Sequence, residues 1–548
     1  MNDTADSGVN GSEDVEKATG RAWVGLAVLA LPTLLLSLDV SVLYLALPSL
    51  SADLGADSTQ QLWILDIYSF LLAGFLVTMG TLGDRIGRRR LLLIGAAAFG
   101  AASVLAASSS SPEQLIVSRA VLGLAGATLM PSTMALIRNM FPDPVQMGRA
   151  IGIWFSCFMG GVLLGPVIGG FLLEHFWWGS AFLLGVPVMV LLLITGPILL
   201  PEYRNPSAGR IDALSVVLSL GTILPAVWGL KELARSGWAV PPMMALVVGA
   251  GLGVVFVRRQ RRLADPLLDL TLFRRPKFGA ALGVMLAGGV VMAGISLQTA
   301  LFLQVVEGLS PLRAGLWLIP QSIAMVAGLS ASPAIAQRTG TAKAVAAGLI
   351  LAAVGLLVVT GADGTGGVGF VVAGLAITSF GMGLPMALTA GLMLAAAPPE
   401  RAGSAASLSE TSGEGGIALG VALLGSLGTF VYRRSFEAGP PADVPAEIVA
   451  QARQSVTAAM LVAEELPGQS GTALATAAKA AFASSLDSVA GVGAIAFAGC
   501  AILAAVTLRD RAGQGLPATR GQDSADAGRP ISGGHGGQSV DRSEGMDA

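Results

Sequence analysis

The sequence predicts an all-α integral membrane protein of fourteen transmembrane helices, arranged as two six-helix bundles with two additional helices between them. Three observations predict it. Hydrophobic residues make up 53% of the 548-residue chain and charged residues only 12%, roughly half of the ~25% charged share of a soluble domain. Apolar runs of about 20 residues, each long enough to cross a bilayer, succeed one another along the chain. A pair of short loop motifs recurs in the two halves, as expected of a duplicated bundle.

The runs lie at 22–47, 61–81, 91–109, 114–137, 149–173 and 179–200, which form the first bundle within 22–200. Two more, at 211–230 and 238–257, fall in a connecting region 201–277. The second bundle, 278–508, takes 278–305, 312–335, 343–361, 368–396, 403–432 and 486–508. Charges or Gly/Pro clusters bound each run: Arg21 precedes the first, and Arg85 and Arg88 to Arg90 close the second. The 72 glycines suit close packing between membrane helices. Residues 433–485 are too polar to span and are expected as an extracellular loop. Within it, 444–465 reads equally as an amphipathic segment over the mouth or as a plain surface loop. The acidic leader 1–21 has neither the basic start nor the small-residue cleavage site of a signal peptide. It and the Gly/Asp/Ser-rich stretch 509–548 are expected to be disordered cytoplasmic tails.

Basic residues set the direction. The loops after even-numbered spans hold Arg85, Arg88, Arg89 and Arg90, then Arg258, Arg259, Arg261, Arg262, Arg274, Arg275 and Lys277. Loops after spans one, three, five and eleven hold none. Both termini are therefore expected in the cytoplasm, in a multi-pass protein of the cell membrane. Internal echoes support the two-bundle division. Arg85 and Gly87 in ThrLeuGlyAspArgIleGlyArgArgArg (81–90) match Arg338 and Gly340 in AlaIleAlaGlnArgThrGlyThrAlaLys (334–343). Pro131 with Arg149-Ala150 likewise matches Pro385 with Arg401-Ala402.

Four carboxylates break the apolar pattern: Asp39, Asp66, Glu410 and Glu414. A charge at membrane depth costs on the order of 3 kcal/mol or more, so it is expected to face water, a partner or a charged passenger. Glu410 and Glu414 are four residues apart on one helical face, and two like charges about 6 Å apart do not readily ionise together. Arg119, alone in the fourth span, needs a counter-charge or backbone carbonyls.

Several motifs then carry a resemblance. GlyThrLeuGlyAspArgIleGlyArgArgArg (80–90) resembles the loop signature of the major facilitator superfamily, in which Gly80, Gly83 and Gly87 permit a tight turn, Asp84 finds a cation or a helix N-terminus, and Arg85 and Arg88 sit in the basic cluster. LeuAspValSerValLeuTyrLeuAlaLeuPro (38–48) resembles the first helix of its fourteen-helix drug:proton antiporters, with Ser41 and Tyr44 where Thr and Asn are usual. GlnGlnLeuTrpIleLeuAspIleTyr (60–68) is similar to the second helix of quaternary-ammonium and dye exporters. GlyValLeuLeuGlyProValIleGlyGly (161–170) resembles the antiporter signature, with Gly161, Gly165, Gly169 and Gly170 admitting close contact and Pro166 kinking the helix. Arg119 matches the superfamily's fourth-helix arginine. The family often has a third acid where Ser409 stands and an Asp near Met325; both departures argue against divalent-cation substrates.

The resemblance implies proton-coupled multidrug efflux of lipophilic, mainly cationic compounds by a monomer working through alternating access. It implies proton coupling at Asp39, Glu410, Glu414 and Arg119. Substrate contact is expected at Asp39, Asp66, Glu410 and Glu414, and at Trp63, Tyr68 and Phe155. A dedicated exporter of one antibiotic or metabolite is the alternative. No Lys follows a Gly, so a phosphate-cradling Gly-Lys-Ser/Thr loop does not exist and no ATP site is expected. Two Cys and the remote His175 and His535 give no metal constellation. Neither a hydrolytic triad nor a basic nucleic-acid footprint is present, at a formal net charge of −2. No cofactor is expected; a proton gradient is the remaining driver.

Overall fold

The computed structural model describes residues 18–204, 212–263, 275–361, 367–396, 402–439, 441 and 444–508. Most of the leader and all of 509–548 lie outside the described residues, as do Arg274 and Arg401. Among the described residues, fourteen helices are long and apolar enough to cross a membrane. In chain order, α1 is Gly20–Leu54, α2 Ser58–Ile86, α3 Arg88–Ala107, α4 Pro112–Met140 and α5 Pro144–His175. The sixth, α6, is Ser180–Leu199, broken by one turn at Leu184. The pair between the bundles is α7, Ala213–Ser236, and α8, Val240–Gln260. Then follow α9, Pro276–Val306, α10, Pro311–Thr339, α11, Thr341–Val359, α12, Val368–Ala396, and α13, Ala402–Ala438. Two short helices, α14 (Ala446–Ala452) and α15 (Val456–Glu465), precede the last span α16 (Gln469–Thr507).

Local sequence explains where many of these helices begin. Asp57 and Gln60 form a reciprocal capping box at α2. Ser111, Asp143 and Ser310 cap α4, α5 and α10, each followed by a proline whose missing N–H would be an orphan anyway. Asp212 caps α7 and also pairs with Arg259 of α8 at 2.9 Å, tying the inserted helices to each other.

The two bundles repeat one packing scheme. Helix α1 packs on α5 and α6, α2 on α4, and α3 on α4 and α6; correspondingly α9 packs on α13 and α16, α10 on α12, and α11 on α12 and α16. The echoed loop glycines take matching roles. Gly87 (φ 113°, ψ 132°) opens α3 and Gly340 (φ 87°, ψ 147°) opens α11, both in backbone conformations that a side chain strongly disfavours. Pro131 and Pro385 both sit inside the fourth helix of their bundle.

One boundary differs from the sequence reading. The last helix starts at Gln469, well before the expected 486, because the Ala-rich stretch 473–483 has high helix propensity even though it is too polar to count as a span. Residues 444–465 fold as α14 and α15 and are anchored, with the Tyr432 hydroxyl donating to Ala452 O at 2.9 Å and Arg453 pairing with Glu437 at 2.7 Å. Helix α15 packs on α16 and reaches α1 of the first bundle.

The bundles meet through α2 with α13, α5 with α10, and α1 with α9. Hydrogen bonds across this seam gather at the face opposite the arginine loops. Gln304 Nε2 donates to Leu45 O at 3.0 Å, and Glu174 accepts from the Ser310 hydroxyl at 2.9 Å and from Leu312 N at 3.3 Å. Gly170 lies against Pro311 and Leu312, and Gly315 against the Pro166 carbonyl, so that backbones touch directly. That face is closed.

Candidate functional site

A cavity of about 210 Å³ lies beneath the closed face, between the bundles. Tyr44, Tyr68, Met130 and Phe158 line it from the first bundle, Gln321 and Glu414 from the second. Its wall is largely apolar and aromatic, with serine hydroxyls, Gln321 and Glu414 as the polar groups, a make-up that suits a lipophilic small molecule.

Of the four membrane carboxylates, two are held by resident cations. Asp39 of α1 accepts from Arg119 Nη1 at 2.6 Å, and Arg119 Nε donates to Ile64 O at 3.2 Å. The arginine is 1% exposed and its guanidinium lies 4.4 Å from the centre of the Tyr68 ring. Arg119 therefore finds both kinds of partner that a membrane-depth cation needs. Because Tyr68 lines the cavity, the pair sits directly behind the wall.

Asp66 is placed elsewhere. Its side chain is 0% exposed and its Oδ2 lies 2.6 Å from Lys231 Nζ of α7, also 0% exposed. The ammonium stands 3.8 Å over the Trp63 ring. Asp66 and Trp63, expected on the substrate wall, face the inserted helix instead. At 3.6 residues per turn Trp63 and Asp66 share one face of α2 and Tyr68 lies on nearly the opposite one, and α7 packs on the first of these.

The two glutamates of α13 differ from both aspartates. Neither Glu410 nor Glu414 has a cation within ion-pair distance among the described residues. Glu414 borders the cavity, and its Oε2 is buried without a hydrogen-bond partner. Glu410, one turn toward the arginine-loop face, acts electrostatically on Glu414 and is itself under the influence of Arg138 of α4 across the seam. Phe155 is 43% exposed and stacks on the cavity residue Phe158, ring centres 6.3 Å apart. Cys157 and Cys500 are free thiols, and among the described residues no cluster of three potential metal ligands occurs.

The loop motif forms a strapped turn. Asp84 pairs with Arg88 at 2.7 Å, and Arg88 also reaches Pro131 O at 3.4 Å. Glu202 accepts from Arg89 N at 3.1 Å, and Tyr203 O accepts from Arg88 N at 2.9 Å. Arg85 and Arg90 remain exposed, whereas Arg88 is buried and occupied internally rather than directed at lipid. Gly80 has only an ordinary contact with Pro131, while a Cβ on Gly87 would strike the Glu202 carboxylate and one on Gly83 would crowd Arg88.

In α5 the glycine spacing places Gly161, Gly165 and Gly169 in one row against Ser37, Ser41 and Val42 of α1. The hydroxyls of Ser37 and Ser41 bond back to Leu34 O and Leu38 O, each at 2.9 Å, which keeps their profile low. Gly170 turns to the other bundle. Pro166 lies in the helix between these contacts and also borders the cavity.

The family model of the Major Facilitator Superfamily matches residues 29–421. The chain belongs to the Major Facilitator Superfamily. It is 41% identical to the multidrug efflux pump LfrA of Mycolicibacterium smegmatis, across 91% of this chain and 99% of that one. It is 33% identical to the methyl viologen resistance protein SmvA of Salmonella typhimurium, across 84% and 93% respectively. In fold it is similar to a bacterial homolog of the human lysosomal transporter Spinster in an inward-facing, unoccupied conformation. That match has a TM-score of 0.62 at 17% identity, covering 89% of this chain and 98% of the other. It is thus a multi-pass membrane protein of a transporter superfamily. The sequence expectation passes over the cavity residues Met130, Phe158 and Gln321, which are apolar or neutral like their neighbours, and it passes over Lys231. The lysine stands one position beyond the expected end of span seven, where a charge reads as a membrane boundary.

Proposed function

We propose that the chain exports lipophilic, mainly cationic compounds across the cell membrane in exchange for protons, by alternating access, as a monomer without a cofactor. The relatives named as a multidrug efflux pump and a methyl viologen resistance protein support this reading. The observation that carries it is Glu414, an unpaired carboxylate on the wall of an aromatic, largely apolar cavity.

In this reading the residues have distinct roles. With the arginine-loop face and both termini in the cytoplasm, the closed face is the outer one, and the cavity awaits cargo from inside. An organic cation settles against Glu414, with Tyr44, Tyr68 and Phe158 supplying apolar and cation–π contact. One negative site cannot hold a cation and a proton together, so the two take turns. When the bundles rock outward, protons from outside load the glutamates and release the cargo. Glu410 receives or relays protons on the cytoplasmic side of Glu414. Asp39 and Arg119 couple proton occupancy to the position of α1 and α4. The membrane potential adds about 2.3 kcal/mol per charge per 100 mV, so two protons entering for one monovalent cation leaving would drive the cycle.

Substrate-induced proton release from the purified protein, run over cationic, zwitterionic and neutral compounds, tests the reading. Release is expected with several unrelated organic cations. Efflux in inverted vesicles that persists after both pH difference and voltage are dissipated would overturn it, and a response to a single compound would assign a dedicated exporter.

A further inference from the structure

The inserted helix α7 touches both bundles, packing on α2 of the first and α13 of the second. Its two contacts differ in kind. Toward α2 it presents Lys231, which is enclosed completely, 2.6 Å from Asp66 Oδ2 and 3.8 Å from the centre of the Trp63 ring. Val227 sits in an apolar cluster shared with Phe70 of α2 and with Ala418 and Ala422 of α13, which is its contact with the second bundle. A carboxylate beside an aromatic face is the constellation that recognises an organic ammonium. Here that constellation is filled from within, by the chain's own lysine. Either charge alone would be severely destabilising at this depth, so each holds the other in place. The contact with α13 in this cluster is apolar and lacks that directionality.

We propose that Lys231 is the positioning residue of the inserted pair: as a tethered cation it occupies Asp66, keeps that carboxylate from the cargo, and makes α7 and α8 move with α2. The α13 face is then the sliding surface when the bundles rock. The proposal uses transport as one readout, and so rests in part on the reading above.

The experiment compares Asp66→Asn, Lys231→Met and the double variant in the full chain. Each single variant is expected to lower kcat for efflux of a fluorescent organic cation about tenfold or more with KM unchanged, since neither residue touches cargo. The double variant, carrying no charge at the site, should recover kcat to within about threefold of wild type and regain the wild-type melting temperature in detergent. A double variant that melts like wild type yet stays as inactive as Asp66→Asn, or an Asp66→Asn variant with raised KM, would overturn the proposal. Should wild type move no cation, the transport reading fails, and recovery or non-recovery of the melting temperature still decides the pairing. If the single or double variants do not reach the membrane, cysteine pairs in a Cys157→Ala, Cys500→Ala background decide instead. Joining Phe70→Cys to Val227→Cys with a short bis-thiol reagent should leave efflux intact, and joining Val227→Cys to Ala422→Cys should stop it. The reverse result would overturn the proposal.

Discussion

Arg119 Nη1 donates to Asp39 Oδ2 at 2.6 Å, joining α4 to α1 through a guanidinium that is 1% exposed and a carboxylate that is 11% exposed. The same arginine reaches Ile64 O on α2 and lies over the Tyr68 ring. Three helices of the first bundle therefore converge on one side chain. Tyr68 in turn lines the cavity, so the pair is in contact with a wall residue.

Breaking the pair from one side should be costly. Arg119→Ala leaves Asp39 uncompensated at membrane depth, and loss of one partner of a buried pair costs about 3–5 kcal/mol. Arg119→Lys keeps the charge but cannot bond Asp39 and Ile64 with one planar fork, so a smaller loss is expected. Thermal melting in detergent should rank wild type above Lys and Lys above Ala. Combining Arg119→Gln with Asp39→Asn should restore melting but not substrate-coupled proton release. Full coupling in that double variant would reduce the pair to packing.

The two glutamates of α13 should separate by assay. Glu414→Gln removes the unpaired carboxylate from the wall, and a charge-assisted contact is worth about 1.5–3 kcal/mol. Affinity for a monovalent organic cation is expected to fall about 10- to 150-fold, while a neutral lipophilic compound binds as before. Glu410→Gln should instead abolish proton release on substrate addition. Equal loss of affinity for charged and neutral compounds in Glu414→Gln would show that the variant has deformed the pocket rather than discharged it.

The sequence announces some of this architecture and conceals the rest, for physical reasons. Fourteen apolar runs stand out because a bilayer requires length and hydropathy, and both are local properties. Asp39, Asp66, Glu410 and Glu414 stand out because charge is rare in such runs. Which of them is already neutralised is not local. Asp66 meets Lys231 only because α7 packs on α2, and nothing near either residue in the chain records it. Lys231 followed by Glu232 has the composition of a membrane boundary, so its burial is hidden by its neighbours. The start of α16 is hidden for a different reason: the Ala-rich stretch before 486 is helical by propensity, and propensity is not what marks a membrane span.

The matched loops allow a test of one glycine against its counterpart. Gly87 and Gly340 both have positive φ, so alanine at either position incurs backbone strain of roughly 1–3 kcal/mol. Around Gly340 a Cβ meets nothing within 4 Å, whereas at Gly87 it strikes the Glu202 carboxylate that holds Arg89 N. Gly87→Ala should therefore lower the melting temperature more than Gly340→Ala. Adding Glu202→Ala should shrink the difference between them. Identical losses from the two single variants would mean that the Glu202 strap contributes nothing to the turn.

The glycine row of α5 makes a graded steric prediction. Gly160 has open space around it, so Gly160→Ala should leave efflux unchanged. Gly161→Val and Gly165→Val drive a branched side chain into Leu34, Ser37 and Ser41 of α1, where overpacking costs about 1–3 kcal/mol, and efflux should fall sharply. Gly170→Val differs because its neighbour is α10 of the other bundle. The wedge opposes closure of the outer face without disturbing the first bundle itself. A bias of about 1–3 kcal/mol between two states changes their ratio roughly 5- to 150-fold. A cysteine at the cavity residue Ser41, in a background lacking Cys157 and Cys500, reports the outcome through labelling by an impermeant maleimide from outside. Labelling should quicken in Gly170→Val. An unchanged rate would mean that the contact of Gly170 with Pro311 and Leu312 is packing that the seam can lose without opening.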